Sequence, residues 1–277
     1  MTTLSNAKND HLTEFFLYSF GFSWLVWIAM ILFEPTAEAF LPMLFLGAFG
    51  PALAAFFLVL RHGTAHEKKE FFKSIIDFKR IKLKWYLVIF LIFPAILFIG
   101  FYVYSFFGRA FPTWSDYLGG VENVRDLLML LLLMIIGGPL AEEPGWRGFA
   151  LDRLQKRFGA VAGSVILGGT WILWHLPLFF IEGTSQSQKG FGIAFWSWSL
   201  QLIVISLIFT LVYNNNRKSI LAAILLHLMA NMAYPLNLDL TGEMIFSGIR
   251  LLVAAGVIVL LLRKSRESFS SLKLKKA

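Results

Sequence analysis

Long runs of apolar residues alternate along this chain with short clusters of charged, Pro and Gly residues. The apolar residues form continuous blocks and not one-sided stripes, and most blocks approach the roughly 20 residues with which an α-helix crosses a bilayer. Seven blocks predict membrane spans at 15–33, 40–60, 85–107, from about 127, 161–181, 193–213 and 244–262. A shorter and more polar block at 220–236 fits as an eighth span.

The pattern therefore predicts an all-α polytopic membrane protein with about eight transmembrane helices. Composition agrees, because 57% of the 277 residues are hydrophobic, only 15% are charged and the mean hydropathy is +0.69. A soluble domain carries about 25% charged residues. These values exclude a soluble globular domain, a disordered chain and a nucleic-acid partner, despite a net charge of +8. The absence of Cys excludes disulfides, thiol nucleophiles and Cys-ligated zinc.

Membrane topology explains the positive charge. With eight spans and an inside N-terminus, the Lys and Arg residues all fall in inside segments except Arg109, Arg125 and Lys189 in outside loops and Arg250 within the last span. Lys and Arg accumulate in cytoplasmic loops, so both termini are predicted to be cytoplasmic. The predicted organisation is a cytoplasmic tail at 1–14, one transmembrane domain at 15–263 and a basic cytoplasmic tail at 264–277. The first span is interpreted as a retained signal anchor.

One inside loop, at 67–84, carries apolar residues at helical spacing among lysines. This spacing fits a helix lying in the membrane plane and a solvated connecting helix equally well.

Few ionisable residues fall within the predicted spans, where such groups are costly and usually functional. They are Glu142, Glu143, Arg147, His175, His227 and Arg250, joined by the polar Asn231. The remaining His residues, His11, His62 and His66, lie in the tail or a basic loop and are interpreted as solvated.

The stretch from Gly137 to Ala150 contains two adjacent carboxylates and an Arg. Glu143 and Arg147 are four residues apart, so a helix places them on one face, where they can pair. Glu142 is rotated by about 100° and can point into the bundle. The alternative is a purely structural salt bridge at a helix end.

Two further segments carry polar groups. His175 lies between Trp174 and Pro177, where a neutral imidazole could act as a base partner or metal ligand, or simply hydrogen-bond between helices. His227 and Asn231 share one helix face and could form an oxyanion hole.

Depth decides whether these groups can meet. If the helix containing Glu142 continues to about residue 151, then Glu142, His175 and His227 lie about 14, 18 and 12 Å from the cytoplasmic ends of their helices at 1.5 Å per residue. We therefore predict that the Glu-Glu-Arg segment is helical inside the bundle, that 152–158 form its exit turn, and that the site is open to the cytoplasmic side.

Known intramembrane protease patterns narrow the chemistry. The chain has no His-Glu-x-x-His, no Gly-x-Ser-Gly and no Asp within a predicted span. It does have Glu142-Glu143-Pro-Gly-Trp-Arg147, Trp171-Ile-Leu-Trp-His175 and His227-Leu-Met-Ala-Asn231. These motifs, in this order, resemble the CPBP family of CAAX prenyl endopeptidases and bacteriocin-processing or immunity proteins, also called Abi. The resemblance covers about 127–234, and Trp171 stands where the family usually has Phe. We expect that exchange to alter packing more than chemistry.

The resemblance implies an intramembrane endopeptidase in which Glu142 and His175 activate a water molecule. Arg147 orients the carboxylates of Glu142 and Glu143, and His227 with Asn231 stabilises the oxyanion. The implied substrate is a membrane-bound peptide or protein, with or without a lipid, and the implied location is a bacterial plasma membrane. No cofactor is favoured, because Arg147 would oppose a divalent cation.

Three alternatives stay open. Glu142, Glu143, His175 and His227 could instead ligate zinc in a metalloprotease. The protein could be a non-catalytic immunity or peptide-binding protein. It could also be a transporter that uses Glu142 and the His pair as a proton relay.

Overall fold

The computed structural model describes residues 10–113, 116, 121–234 and 238–274, with side chains described as far as Lys264. These residues are helical and include no strand. The helices are α1 (Leu12–Phe33), α2 (Ala37–Ala48), α3 (Gly50–His62), α4 (Ala65–Ile76), α5 (Leu83–Ser105), α6 (Val124–Ile136), α7 (Pro139–Gly145), α8 (Asp152–Trp174), α9 (Ser185–Lys189), α10 (Ile193–Asn215), α11 (Ile220–Met232) and α12 (Leu240–Leu274). Most of the predicted N-terminal tail, part of the predicted loop at 108–126 and the end of the C-terminal tail lie outside the described residues.

Five stretches among the described residues are long and apolar enough to cross a membrane, and a sixth is added if α2 and α3 form one span bent by 43°. This confirms an all-α membrane protein. Two features keep this count below eight: the stretch Val124–Phe180 runs for 57 residues, where the sequence predicts two spans, and α11 has only 13 residues. The count of eight stays a prediction.

Helix α10 forms the centre of the bundle. In its most apolar stretch of 18 residues, 72% is buried, whereas the corresponding share in the other four candidate spans is 17–28%. A helix that is apolar on all sides and buried on all sides must be surrounded by other helices. Helices that contact α10 therefore present their other faces to lipid, as expected for a membrane protein.

The Glu-Glu-Arg segment is helical, as the sequence predicts, although the helix is interrupted and locally widened. Helix α6 ends at Ile136, and a new helix, α7, begins at Pro139 after Gly137 and Gly138. Pro144 has no N–H to donate to the carbonyl four residues earlier. Directly after it, Trp146–Leu151 form a π-helical turn, a feature often found at functional sites.

The predicted exit turn at 152–158 is wrong. These residues continue as helix α8, and the chain turns at Gly159, whose φ of 80° and ψ of 170° interrupt the helix. A side chain on Gly163 would lie 3.0 Å from the backbone carbon of Leu154, so the chain folds back directly after the turn. The basic composition of 152–158 suggested a turn there. The turn lies one residue later, at Gly159, because Gly easily adopts a positive φ.

Contacts between loops define one end of the bundle, which we call the basic end. There the ring of His11 stacks on that of His62 with centroids 3.9 Å apart, while His62 stays exposed to solvent, as predicted, and His11 is partly exposed. Lys218 pairs with Asp152 at 2.6 Å, and Lys264 donates to Asn215. The described parts of α1 and α12 thus start and finish at the same end, as an even number of crossings requires.

The opposite end, which we call the cavity end, is also held by specific contacts. The Tyr104 hydroxyl donates to Asp239 at 2.7 Å, and Arg109 pairs with the same carboxylate. Lys189 lies 5.0 Å from the centroid of the Tyr234 ring. These residues connect α5, α9, the end of α11 and the start of α12.

The amphipathic loop forms α4, which lies at the basic end. A capping box starts it, because the Thr64 side chain accepts from the N–H of Glu67 and the Glu67 carboxylate accepts from the N–H of Thr64. Ser74 is its one buried residue, and Ile76 stays exposed. Exposed apolar and basic side chains on one short helix favour a position at the membrane surface.

Candidate active site

Glu142 is held on α7 by two tryptophans. Its Oε2 accepts a hydrogen bond of 2.6 Å from the Trp171 indole N–H and one of 3.2 Å from that of Trp146. The side chain is only 5% exposed. Both donors occupy the same oxygen, so Oε1 has no hydrogen-bond partner among the described residues. This carboxylate is fixed in direction while one oxygen stays free for another ligand.

Glu143 faces a different set of partners, as the sequence predicts. Its Oε1 accepts from Arg147 Nη1 at 2.8 Å and lies 2.7 Å from His227 Nδ1. Glu143 and Arg147 are fully buried. A buried pair of this kind depends on both partners, since removing either leaves an uncompensated charge. The contact to His227 was not predicted, because it joins residues 84 positions apart.

Hydrogen bonds at Nδ1 determine the tautomers of both site histidines. His175 Nδ1 lies 2.7 Å from the carbonyl oxygen of Trp171, so this nitrogen carries the proton and donates. His227 Nδ1 likewise faces the Glu143 carboxylate. In both rings Nε2 has no partner among the described residues. A carboxylate or carbonyl at Nδ1 fixes the orientation of the ring.

Trp171 contacts four residues of the site, namely Glu142, Arg147, His175 and His227. Its N–H bonds Glu142, its ring lies 4.6 Å from the guanidinium carbon of Arg147, and its carbonyl bonds His175. The ring also meets His227 edge-on at 5.3 Å. Phe has no donor for Glu142, so this exchange adds a hydrogen bond as well as packing, and the expectation that it alters packing more than chemistry stays a prediction. The sequence showed Trp171 in place of Phe, but it could not show that the indole N–H bonds Glu142, because that contact depends on tertiary structure.

Asn231 is exposed to the site one helical turn after His227 on α11. A side chain at Gly138 would come within 3.3 Å of the Asn231 Nδ2. The break between α6 and α7 therefore brings backbone close to this amide, which a larger residue at 138 would displace.

These residues line one cavity of about 740 Å³, in which Glu142, His175, His227 and Asn231 all take part. The structure thus brings together the four predicted catalytic residues, with Glu143 and Arg147 buried behind them. A volume of this size accommodates an extended peptide segment of a few residues. Ionisable groups that converge on the wall of a large cavity are characteristic of an active site.

The rim of the cavity is built at the cavity end of the bundle. Phe40 lies at the start of α2, Thr184 and Lys189 flank α9, and Leu238 and Glu243 lie at the start of α12. Partial burial lowers the pKa of Lys189, and the nearby Glu243 carboxylate opposes that shift. Towards the basic end, the buried side chains of Trp146, Phe149 and Leu151 fill the space below Glu142.

This geometry corrects one combination of predictions. Cytoplasmic termini and a site open to the cytoplasm cannot both hold, because the described ends of the chain lie at the basic end and the cavity rim lies at the opposite one. The residue count along the helices correctly grouped Glu142, His175 and His227. It could not show that the π-helical turn closes the cavity on the side of the basic end.

The predicted zinc ligands include three residues of the cavity wall, but their ligand atoms do not form a metal site. No three carboxylate or imidazole groups of the cavity, among the residues the structure describes, offer ligand atoms within 4.8 Å of one another. The group that does is His11, Glu14 and His62 at the basic end. Glu143 Oε1 is bonded to His227 and paired with Arg147, so in this arrangement it is already held by other partners. The donor set in this arrangement does not fit the tetrahedral site that zinc requires.

Arg250 lies apart from this site. It is 5% exposed and donates to the carbonyl and hydroxyl oxygens of Ser197 at 3.3 and 2.8 Å. Its guanidinium carbon lies 5.8 Å from the centroid of the Phe246 ring. The structure thus provides the partner that the sequence left unassigned, and it links α10 to α12.

Comparisons with known proteins agree with the site. The family described as Type II CAAX prenyl endopeptidase Rce1-like matches residues 124–233, which contain all three motifs. A CAAX prenyl protease 2 from Methanococcus maripaludis is 30% identical over an alignment of 253 residues that covers 88% of this chain and 92% of the relative. The chain belongs to the CAAX prenyl endopeptidase (CPBP) family. Its membership extends beyond the motif region to the first three spans, which the sequence motifs alone did not reach.

Membership in the CPBP family supports a peptidase that is integral to the membrane and acts on a membrane-associated peptide. Family membership and the cavity geometry are independent observations. Both concern the same segments, α6 to α8 and α11, since the matched residues carry Glu142, His175, His227 and Asn231.

Proposed function

We propose that this protein is an intramembrane endopeptidase that hydrolyses a peptide bond of a membrane-associated or lipidated peptide. The observation that carries the proposal is the convergence of Glu142, His175, His227 and Asn231 on one cavity of about 740 Å³. These residues come from three segments that are distant in the sequence. Ionisable groups within a membrane are costly and usually functional.

Glu142 and His175 activate the attacking water. The free Oε1 of Glu142 accepts a proton from the water while the Nε2 of His175 accepts its second hydrogen bond. No direct hydrogen bond joins the two side chains, so one water molecule can lie between them. The water oxygen bonds to the scissile carbonyl carbon, and Glu142 then passes the proton to the departing amine nitrogen.

His227 and Asn231 stabilise the oxyanion. With Nδ1 donating to Glu143, a neutral His227 has only an acceptor at Nε2, so it must be protonated to donate there. The His227 ring is held in place by Glu143, which also pairs with Arg147. The Asn231 amide supplies the second donor. Donors fixed before the reaction supply a large part of transition-state stabilisation.

Eight crossings fit the loop contacts: α1, α2 with α3, α5, α6 with α7, α8, α10, α11 and α12 each join the two ends of the bundle. This organisation gives one transmembrane domain at 15–263 between cytoplasmic tails at 1–14 and 264–277. The membrane is a bacterial plasma membrane in this proposal. The basic loops at one end of the bundle support the cytoplasmic placement of that end.

The test is cleavage of a panel of membrane-anchored peptides, with and without a lipid, by purified protein. Glu142→Gln keeps an acceptor for both indoles and removes the base, so it should lower cleavage by at least about 10²-fold. Glu182→Gln is the matched control, because Glu182 is an exposed carboxylate outside the cavity lining. Full activity of Glu142→Gln would overturn the mechanism.

The same assay separates the alternatives. Cleavage should persist in a strong chelator, and its loss with recovery on adding zinc would establish a metalloprotease. Failure of the wild-type protein to cleave any peptide, with binding retained, would favour the immunity or peptide-binding role. Proton-coupled flux into liposomes would favour a transporter.

A further inference from the structure

The catalytic cavity has a defined orientation relative to the charge of the protein. Its rim lies at the cavity end, formed by α2, α9 and the start of α12. The Lys and Arg residues concentrate at the other end, on α4, the loop at 214–219 and the end of α12. A membrane protein keeps its Lys- and Arg-rich short loops in the cytoplasm.

Side-chain contacts show which basic residues lie at each end of the bundle, without any count of membrane spans. Lys218 pairs with Asp152, Arg80 donates to the carbonyl of Arg217, and Arg157 pairs with Asp10. Basic segments that are distant in the sequence therefore meet at a single end. At the cavity end the described basic residues are Arg109, Arg125 and Lys189.

The floor of the site is closed on the basic side. Trp146, Phe149 and Leu151 are at most 2% exposed and fill the π-helical turn beneath Glu142. Arg147 and Glu143, fully buried beside them, cannot admit a peptide without separating a salt bridge. A substrate that approaches from the basic side would have to displace this packing, whereas the rim at Ser185 and Gln188 is exposed.

We infer that the active site opens to the outer face of the membrane and takes extracytoplasmic segments of membrane-anchored polypeptides. This inference rests on the proposed function for its substrate, but the orientation of the cavity does not. The peptide enters past α2, α9 and the start of α12. The side chains that meet it first are those of Phe40, Gln188, Lys189 and Glu243.

The absence of Cys allows a direct test of orientation. Glu182→Cys introduces one exposed thiol beside the rim, and Lys69→Cys introduces one on α4 at the basic end; neither residue lines the cavity. A membrane-impermeant maleimide added to intact cells should label Glu182→Cys and leave Lys69→Cys unlabelled until the cells are lysed. Labelling of Lys69→Cys alone would overturn the inference.

A second measurement tests the substrate side. A membrane-impermeant peptide that the enzyme cleaves in detergent is added to sealed right-side-out vesicles and to sealed inverted vesicles. Cleavage is expected in the first and lost in the second, and the reverse result would place the mouth in the cytoplasm while leaving the peptidase intact. If no peptide is cleaved in detergent, the proposed function fails, and thiol labelling still decides the orientation.

Discussion

The indole N–H of Trp171 donates a 2.6 Å hydrogen bond to Oε2 of Glu142, joining α8 to α7 across the wall of the cavity. A hydrogen bond to a charged acceptor contributes about 1.5–3 kcal/mol. Here it also fixes the direction of the carboxylate, so that Oε1 and not Oε2 faces the substrate. Trp171 is thus a positioning residue that acts through Glu142.

Replacing Trp171 by Phe should lower kcat by about 10-fold or more, because the aromatic contacts persist and only the donor is lost. KM should change little, since the indole N–H does not touch substrate. The measurement is steady-state cleavage of a peptide identified in the panel.

Trp174→Phe is the matched control for this substitution. Trp174 is also buried in the site, but its Nε1 has no hydrogen-bond partner among the described residues. It should therefore retain nearly full kcat. Equal loss of kcat in both variants would show that packing, and not the hydrogen bond to Glu142, accounts for the effect.

Glu143 and His227 should act as one unit in the reaction. Their contact at 2.7 Å predicts that Glu143→Gln weakens the hold on the His227 ring and so impairs the oxyanion donor. His227→Ala removes that donor outright. A double-mutant cycle on kcat/KM should show a coupling of about 0.5–3 kcal/mol, as is typical for residues in contact. Strictly additive losses would contradict the proposed pairing.

Local sequence rules predicted much of this site, because its parts repeat short helical spacings. Glu143 and Arg147 are four residues apart, as are His227 and Asn231, and each pair shares a face in the structure. Long apolar blocks predicted the membrane helices, because a helix buried on all sides must also be apolar on all sides.

Two of the contacts that sequence reasoning missed join distant segments. His227 bonds Glu143 from 84 residues away, and Trp171 bonds Glu142 from 29 residues away. The side on which the cavity opens depends on how Trp146 packs within a π-helical turn, which no periodicity indicates. These features follow from packing, so only the three-dimensional structure could supply them.

Arg147 should be needed for stability as well as for activity. Arg147→Met leaves the buried Glu143 carboxylate without its cation and removes the stacking on Trp171 and Phe209. Breaking a buried pair in this way costs about 3–5 kcal/mol. Thermal unfolding in detergent should show a clearly lower Tm.

The control for this loss of stability is Lys218→Met, which breaks the exposed pair with Asp152. An exposed pair contributes about 0–1 kcal/mol, so the Tm of this variant should hardly change. If Lys218→Met lowered the Tm as much as Arg147→Met, then burial would not be what makes the Glu143 pair important.

The turn at Gly159 allows the sign of a stability change to be predicted from backbone geometry alone. A side chain there would contact nothing within 4 Å, so any cost of Gly159→Ala comes from holding Ala at φ 80° and ψ 170°. Such a conformation costs a non-Gly residue about 1–3 kcal/mol. Gly169, in the same helix α8, also has open space around it but has helical backbone, so Gly169→Ala should stabilise by about 0.5–1 kcal/mol. Opposite shifts in Tm for the two variants are expected. A stabilising Gly159→Ala would mean that α8 does not turn at this residue and that the chain does not fold back there towards His175.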